Sequence, residues 1–578
     1  MSGLISLTQG TTQFNLSVSV TITIKYKSYN QVLIVIGLRT LISTQERIII
    51  MSTLDQTIAT AREQTISGML RRTARRTPGK TAVICGNVSW SYREFDMVCD
   101  HIASALLKRG VRSGDKVAML ARNSHGFVGM RFALARIGAV LVPVNFMLNA
   151  KEMAYILRHS TARILCTDTS MAEMAREAAA LDTNVDQFIW IPDEAGSASL
   201  PDMTSFNDLL SEGEEAEVPH PHVSQSMLAQ IIYTSGTESL PKGAMLTHEA
   251  VVTQHISCVM AGGFESSDVM LHALPLFHCA QLDTFFGTCV YTGVTNIITA
   301  TPSPEVILPI LESHKVTSFF SPPTVWISLL RSPLFDSEKL SNLCKGYYGA
   351  AIMPVAVLKE LLERLPAARL WNLYGQTEIA PTATILGPED QIRKAGSAGK
   401  PVFNVETRVV DDYEKNVPTG TVGEIVHRSP QLMSGYFKDE ERTREAFRGG
   451  WFHSGDLGFF DDEGYLTIVD RKKDMIKTGG ENVSSREVEE AIFQMDLVSE
   501  VAVFAVSDPV WVEAVTAIVV PRDGAMIDQD MVIAHCRERL ASFKVPKRVI
   551  FADTLPRNPG GKILKRNLRD LYERSADS

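Results

Sequence analysis

From Phe14 to Tyr26 apolar and polar residues alternate strictly, with Phe14, Leu16, Val18, Val20, Ile22, Ile24 and Tyr26 on one side, which is the period of a strand. Val32 to Leu38 is apolar but stops at Arg39, too short to span a bilayer. The chain opens without the basic segment and small-residue cleavage site of a secretory signal. Residues 1–50 differ in character from the chain beyond Met51 and read as an extension outside the fold, an upstream start that the cell does not use; an amphipathic hairpin is the competing reading.

Beyond Met51 the pattern changes to alternating helix-like and strand-like segments. A helical period from Thr65 to Arg76 ends in the basic run Arg71-Arg72-Thr73-Ala74-Arg75-Arg76, which suits a solvated helix C-terminus. Ala82-Val83-Ile84 precedes a helix from Ser91 to Arg109, and Lys116 to Leu120 precedes one from Ser124 to Ile137; Val140 to Val144 and Arg163 to Leu165 continue the series. Such alternation predicts parallel sheet covered on both faces. Glu212 to Glu217, ahead of Pro219 and Pro221, reads as an exposed acidic loop. After Gly399-Lys400-Pro401 short strands and turns take over, the charged stretch Asp470 to Lys473 reads as a linker, and a smaller α+β unit comes after it.

Composition narrows the class. A chain of 578 residues exceeds one hydrophobic core, so two or more domains are expected. With 45% apolar and 21% charged residues it is a globular chain, and 57 basic against 66 acidic residues argue against nucleic acid or an anionic membrane as the main partner. Eight cysteines without CxxC pairs read as reduced thiols of a cytoplasmic protein with no zinc site.

The candidate chemistry sits where strands end. Ile231 to Tyr233 runs into Thr234-Ser235-Gly236-Thr237-Glu238-Ser239, followed by Lys242 between Pro241 and Gly243. Hydroxyls, close-approaching backbone and a lysine suit phosphate oxygens, although the Walker pattern is absent. Ala273 to His278 reads as an apolar strand ending in a histidine, Phe319 to Trp326 as a strand-to-helix junction, and Gly346 to Ala351 as a strand ending in small residues. Leu370 to Glu378 places an amide, an aromatic ring and a carboxylate at another strand end. Ligands of open α/β sheets gather at such ends, so one shared site is expected. Taken singly, each residue has a bland reading: Asp456 as a turn former, Glu378 as a helix cap, Lys562 as a loop lysine.

Jointly, the phosphate loop, Tyr374-Gly375-Gln376-Thr377-Glu378, Ser454-Gly455-Asp456, Asp470-Arg471 and Gly561-Lys562 are specific. From about Met51 to Lys565 the chain resembles the adenylate-forming superfamily of acyl-CoA synthetases, firefly-type luciferases and nonribosomal adenylation domains. The resemblance implies an α/β fold: a large N-terminal domain (51–470) of β-α-β sheets with a small β-barrel-like part, then a small mobile α+β C-terminal domain (471–578) hinged near Lys473. It implies ATP, Mg²⁺ and coenzyme A. Lys562 would bridge a substrate carboxylate and the α-phosphate, while Thr234 and Glu378 would stand around the metal. Ser235, Gly236, Thr237 and Lys242 would meet the phosphates, Glu238 in the same loop would turn outward from them or reach the metal, and Asp456 and Arg471 would meet the ribose. Asn372 would meet the adenine amino group, with Gly349, Ala350, Ala351 and Tyr374 around the ring and Gly375, Gln376 and Thr377 beside it. For thioester formation Lys473 would be the pivot, and Lys477, Gly479, Gly480 and Glu481 would belong to the loop admitting coenzyme A. Glu238-Ser239 departs from the usual Thr-Gly and puts ATP affinity in question.

Amino-acid-activating relatives carry an aspartate where this chain has His278-Cys279-Ala280, which disfavours an amino acid. His278, Gln281, Thr324, Val325, Tyr347 and Gly349 are the expected acyl-pocket residues, without an arginine for a second carboxylate. The expected substrate is a medium- or long-chain fatty acid, with an aryl acid such as a coumarate or benzoate behind it. Coenzyme A is the expected acceptor. A luciferase and a non-catalytic nucleotide-binding relative stay as alternatives, and a homodimer is left open.

Overall fold

A computed structural model describes residues 58, 60–215, 218–234, 240–349, 351, 353–478, 481–508, 510–557 and 563–576. The extension 1–50 lies outside the described residues. Residues 64–578 form one unit, built on four sheets. The seven-stranded sheet runs in the order Thr204–Ser205, Gln187–Trp190, Ile164–Thr167, Lys116–Leu120, Val140–Pro143, Leu228–Thr234, Lys242–Thr247, and only its last pair is antiparallel. The nine-stranded sheet runs Lys400–Pro401, Thr382–Leu386, Arg369–Gly375, Lys345–Gly349, Ser318–Phe320, Val269–His272, Thr295–Ile298, Thr81–Cys85, Val88–Ser91, parallel in its centre and antiparallel at both edges. A four-stranded antiparallel sheet (Glu406–Val410, Gly423–Arg428, Phe452–Phe460, Leu466–Arg471) precedes a C-terminal α+β unit built around the paired strands Val498–Asp508 and Val512–Pro521. Among the described residues no helix is long and apolar enough to cross a membrane.

Local chemistry sets the helix ends. Ser91 caps Tyr92–Lys108, accepting from the Glu94 backbone while the Glu94 side chain returns to the Ser91 N–H. Thr65 caps Ile66–Arg76, and His125–Ile137, buried all round, ends at left-handed Gly138. Two expectations change. Thr81–Cys85 does not extend the series containing Lys116–Leu120. It joins the other sheet, where Asn296 donates to the Ala82 carbonyl at 2.8 Å. Glu212 to Glu214 is not loop but the last turn of the helix Phe206–Glu214, because Ser205 and Asp208 form a capping box and Arg109 pairs with Glu212 at 2.6 Å; residues 216–217 lie outside the described residues. All eight cysteines are free, seven of them buried.

One buried ion pair ties the two large sheets' helices together. Arg131 on His125–Ile137 holds Asp283 at 2.9 Å, and Gln230 on the strand Leu228–Thr234 donates to the other Asp283 oxygen at 2.6 Å. All three side chains are buried. Burial pushes the Asp283 carboxyl up and Arg131 down, each partly offset by the other's charge. Arg131→Met strands the carboxylate and is expected to cost about 3–5 kcal/mol in denaturation experiments, most of it recovered by adding Asp283→Asn. A loss no larger than that of a surface substitution would show that the pair does not carry the packing.

Candidate active site

The carboxyl ends of the central parallel strands open into one cleft of about 2180 Å³. Thr234, His278, Thr324, Gly349, Asn372, Glu378, Asp456, Arg471 and Lys473 all line it, so the strand ends singled out in the sequence do converge. Ser235, Gly236, Thr237, Glu238, Ala350, Gly479, Gly480 and Lys562 lie outside the described residues.

On one side the groups suit a nucleoside. Tyr374 donates to an Asp456 carboxylate oxygen at 2.7 Å, and Arg471 stands 3.4 Å from the other oxygen. Asp456 and Arg471 are register partners on adjacent antiparallel strands, so the sheet itself sets their spacing. The Asn372 amide donates to the Ser397 carbonyl at 2.9 Å, which leaves its oxygen as the acceptor for an exocyclic amine. Gly349 and the exposed Ala351 line the same wall. Gly375 sits at φ +156°, and an added Cβ would come within 1.9 Å of the Pro381 carbonyl oxygen, so only glycine fits this bend.

Next to it the groups suit a polyphosphate and its metal. Thr234 and Lys242 are register partners across the loop, and the Lys242 ammonium lies 4.6 Å from the centre of the Tyr436 ring. The Tyr436 hydroxyl donates to the nearly buried Glu378 carboxylate at 2.9 Å. Both polar atoms of the Gln376 amide are buried without a partner among the described residues, and Gln376 lines the cleft. Thr377 has the Cys279 sulfur at 3.2 Å. Tyr436 is absent from the residues the sequence singled out. It stands 58 residues from Glu378, and its only local signal is a glycine-led aromatic pair, Gly435-Tyr436-Phe437. What aims it is backbone pairing, with Phe437 N–H donating to Gly243 and Ser434 N–H to Met245.

The acyl side departs most from expectation. Ala273 to His278 is not a strand, because the strand is Val269–His272 and the residues after it are irregular. Pro275 lacks the donor a strand needs, and Asn123 takes over both roles, donating to the Leu274 carbonyl and accepting from the Leu276 N–H at 2.7 Å each. Ala280–Gly287 then forms a π-helix, a wider turn that changes which side chains face the cleft. Gln281 turns into the core against His272 at 2.6 Å. Tyr347 is also inside, stacked between Phe264 and Trp371, its hydroxyl donating to the Gly262 carbonyl at 2.9 Å. Val325 packs toward the core rather than lining the cleft. Ala280, Thr284, Phe285, Phe320 and Thr382 form the wall with His278 and Thr324. Burial pushes the His278 ring down to about 4, so it is neutral at pH 7. Its Nδ1 accepts from the Ala280 N–H at 3.2 Å, which leaves the proton on Nε2.

Lys473 follows Lys472, whose ammonium is paired with Asp412 at 3.0 Å and Glu424 at 3.3 Å. Lys477 and Glu481 are exposed residues on the paired strands Ile476–Thr478 and Glu481–Val483, and neither lines the cleft. Lys565 does line it, held by Glu489 at 2.8 Å and Ser485 at 2.6 Å. Burial works against its charge, yet Glu489 and Asp470 outweigh that and raise its pKa.

The AMP-binding enzyme family matches residues 70–437, and the AMP-binding enzyme C-terminal domain matches 487–562. A feruloyl-CoA synthase of an Amycolatopsis species is 36% identical over 88% of this chain and 100% of its own length. The long-chain-fatty-acid–CoA ligase FadD13 of Mycobacterium tuberculosis is 33% identical over 88% and 98%. The crystal structure of ATP-bound MatB from Rhodopseudomonas palustris superposes with a TM-score of 0.79 at 30% identity, over 88% and 99% of the two chains. The chain thus belongs to the AMP-binding enzymes, the adenylate-forming superfamily, in its acyl-CoA ligase branch.

Proposed function

We propose that this ATP-dependent CoA ligase, which works through an acyl-adenylate, activates a compact aryl acid. The observation that carries the reading is the aromatic wall. Phe285 and Phe320 line the cleft and stack with ring centres 4.0 Å apart. Both belong to a packed cluster with Phe264, Tyr347 and Trp371, so core rather than open space backs them. A flat ring gains area and face or edge contact against such a wall, whereas a long alkyl chain would have to displace buried rings. The likeness to a feruloyl-CoA synthase supports the same reading. A medium- or long-chain fatty acid is the second reading, favoured by the apolar side chains of Phe277 and Ile327 on the cleft and by the likeness to the mycobacterial long-chain ligase.

In the first step a carboxylate oxygen bonds to the α-phosphorus of ATP, the bond to the β-phosphate oxygen breaks, and pyrophosphate leaves. In the second the coenzyme A sulfur bonds to the acyl carbon, AMP leaves, and the thiol proton goes to solvent. Charge gathers on phosphoryl oxygens in the first step, so cations must already be in place. Lys242 answers for the outer phosphates and Lys562 for the α-phosphate. A magnesium ion bound with the nucleotide would neutralise phosphate oxygens, and Glu378 and Thr234 fit it as hard oxygen ligands. His278, being neutral, supplies an apolar wall and an N–H donor, not a counter-charge to the carboxylate. Tyr436 positions both ends of the phosphate site, its ring under Lys242 and its hydroxyl on Glu378.

ATP–pyrophosphate exchange across cinnamic, benzoic and arylacetic acids and saturated acids from butyric to palmitic tests the substrate. The best aryl acid is expected to exceed the best fatty acid in kcat/KM by about tenfold or more; palmitate leading would overturn the reading. Lys562→Ala is expected to lower adenylation by about 10²–10³-fold while sparing thioester formation from supplied acyl-adenylate, and equal loss of both steps would refute that role. Tyr436→Phe removes a hydrogen bond to a carboxylate, worth about 1.5–3 kcal/mol, and should weaken adenylation about tenfold or more at limiting magnesium. Tyr436→Leu should in addition raise the KM for ATP, and identical effects of the two variants would deny the ring its own part.

A further inference from the structure

The residues on either side of the stretch that ends in Lys562 are fastened by charge. Residues 558–562 lie outside the described residues, but Arg557 and Ile563 beside them form an antiparallel bridge, and the Leu564 N–H donates to the Pro556 carbonyl at 2.8 Å. On one flank Arg557 pairs with Glu500 at 2.8 Å. On the other Lys565 pairs with Glu489 at 2.8 Å, and the same Glu489 oxygen accepts from the Val503 N–H at 2.8 Å. Glu500 and Val503 both belong to the strand Val498–Asp508, so one element sets both flanks.

Lys565 makes a second bond whose direction is forced. An ammonium only donates, so at 2.6 Å the Ser485 oxygen accepts from it, and the Ser485 hydroxyl hydrogen goes to Asp470 Oδ2 at 2.8 Å. Ser485 is fully buried and Asp470 nearly so. Burial disfavours the Lys565 charge, and Glu489 and then Asp470 more than restore it. Two bonds in line through one hydroxyl strengthen each other. Asp470 precedes Lys473, whereas Ser485, Glu489 and Lys565 follow it. If the C-terminal unit turns about Lys473, Glu489 travels with Lys565 but Asp470 stays behind on the strand Leu466–Arg471. The Lys565 charge therefore gains from Asp470 in the orientation that brings Ile563, the neighbour of Lys562, to the cleft.

We propose that Lys565 is a positioning residue for adenylation: acting through Ser485 on Asp470, it favours the orientation that presents Lys562 to the nucleotide. This rests on the readings of Lys562 and of the pivot, and adds to them a bias between the two half-reactions.

The test measures ATP–pyrophosphate exchange with the acid that the wild type uses best and, separately, thioester formation from its supplied acyl-adenylate and coenzyme A. Lys565→Met should slow exchange about tenfold or more, with the KM for ATP kept within about twofold, while thioester formation is unchanged or faster. Lys565→Arg, which keeps the charge, should recover most of the exchange. Ser485→Ala leaves the Lys565–Glu489 pair in place and should reproduce the selective loss at about three- to tenfold. Thermal melting accompanies each variant, and where Lys565→Met melts well below the wild type Ser485→Ala decides. Equal loss of both half-reactions, or intact exchange in Ser485→Ala, would overturn the proposal. Lys562→Ala in the same assays keeps the two readings apart. If it loses exchange while Lys565→Met and Ser485→Ala do not, the tie to Asp470 alone is wrong; if it keeps exchange, the role of Lys562 falls and the tie with it.

Discussion

The acyl and phosphate halves of this site depend on a carboxylate that touches neither ligand. Asp283 is drawn inward from the π-helix by Arg131 and by Gln230, which lies on the strand leading to Thr234. Asp283 sits within the π-helix that carries Thr284 and Phe285 to the wall, so its pairing ties that segment to two other elements. The same side chains exclude other charges. His248 and His255 are pushed down to about 3 by burial, with the Arg131 charge adding to it, so the region holds a single matched pair among neutral partners. Gly287 completes the arrangement: an added Cβ would lie 2.3 Å from the His255 ring, so the helix closes directly on that histidine.

From this anchor the cleft divides by chemistry. At the sheet's carboxyl ends Tyr374, Asp456 and Arg471 form a short chain of hydrogen bond and ion pair suited to ribose hydroxyls. Beyond them Lys242, Tyr436 and Glu378 stand in a row that alternates cation, ring and carboxylate. Tyr436 thus touches both charged groups, its ring face at Lys242 and its hydroxyl at Glu378. In the proposed function that one side chain would position the cation meant for phosphate and the carboxylate meant for metal.

Much of this is legible in the sequence because it is local. Ser91 with Glu94, Thr65, and strand ends running into glycine and hydroxyl residues carry their own signals, and those elements fall where expected. The illegible part is set by contacts distant along the chain. Asn123 replaces the ladder bonds of Ala273 to His278, a substitution invisible at either segment alone. Within the π-helix Asp283 meets partners in two other elements, and Gln281 turns into the core instead of the wall. Tyr347 reads as a pocket residue because its strand ends at the cleft, but its ring packs behind Phe285 and Phe320, with its hydroxyl on the Gly262 carbonyl. Tyr436 is hard to find along the chain because only a backbone bridge to Ala244 brings it under Lys242.

The proposed pivot at Lys473 has firm ground on its N-terminal side. Lys472 is paired with Asp412 and Glu424. Burial works against the Glu424 charge, but His453, Lys472 and Arg448 outweigh it and bring its pKa down to about 2, so this anchor holds across ordinary pH. Across the pivot, Asp470 accepts from the N–H and the hydroxyl of Ser485, each at 2.8 Å, and Arg486 donates to the Gly396 carbonyl at 3.3 Å. These bonds join the two sides, so any rotation about Lys473 must break them. Asp470 is nearly buried, and a carboxylate stripped of those donors needs replacements from water or from the rotated unit. Turning the C-terminal unit would therefore have to replace the bonds of Asp470, three residues before the proposed pivot, together with that of Arg486. A nucleotide held at neighbouring Arg471 would lie within reach of those bonds, which is how occupancy of the cleft would bias the orientation of the unit.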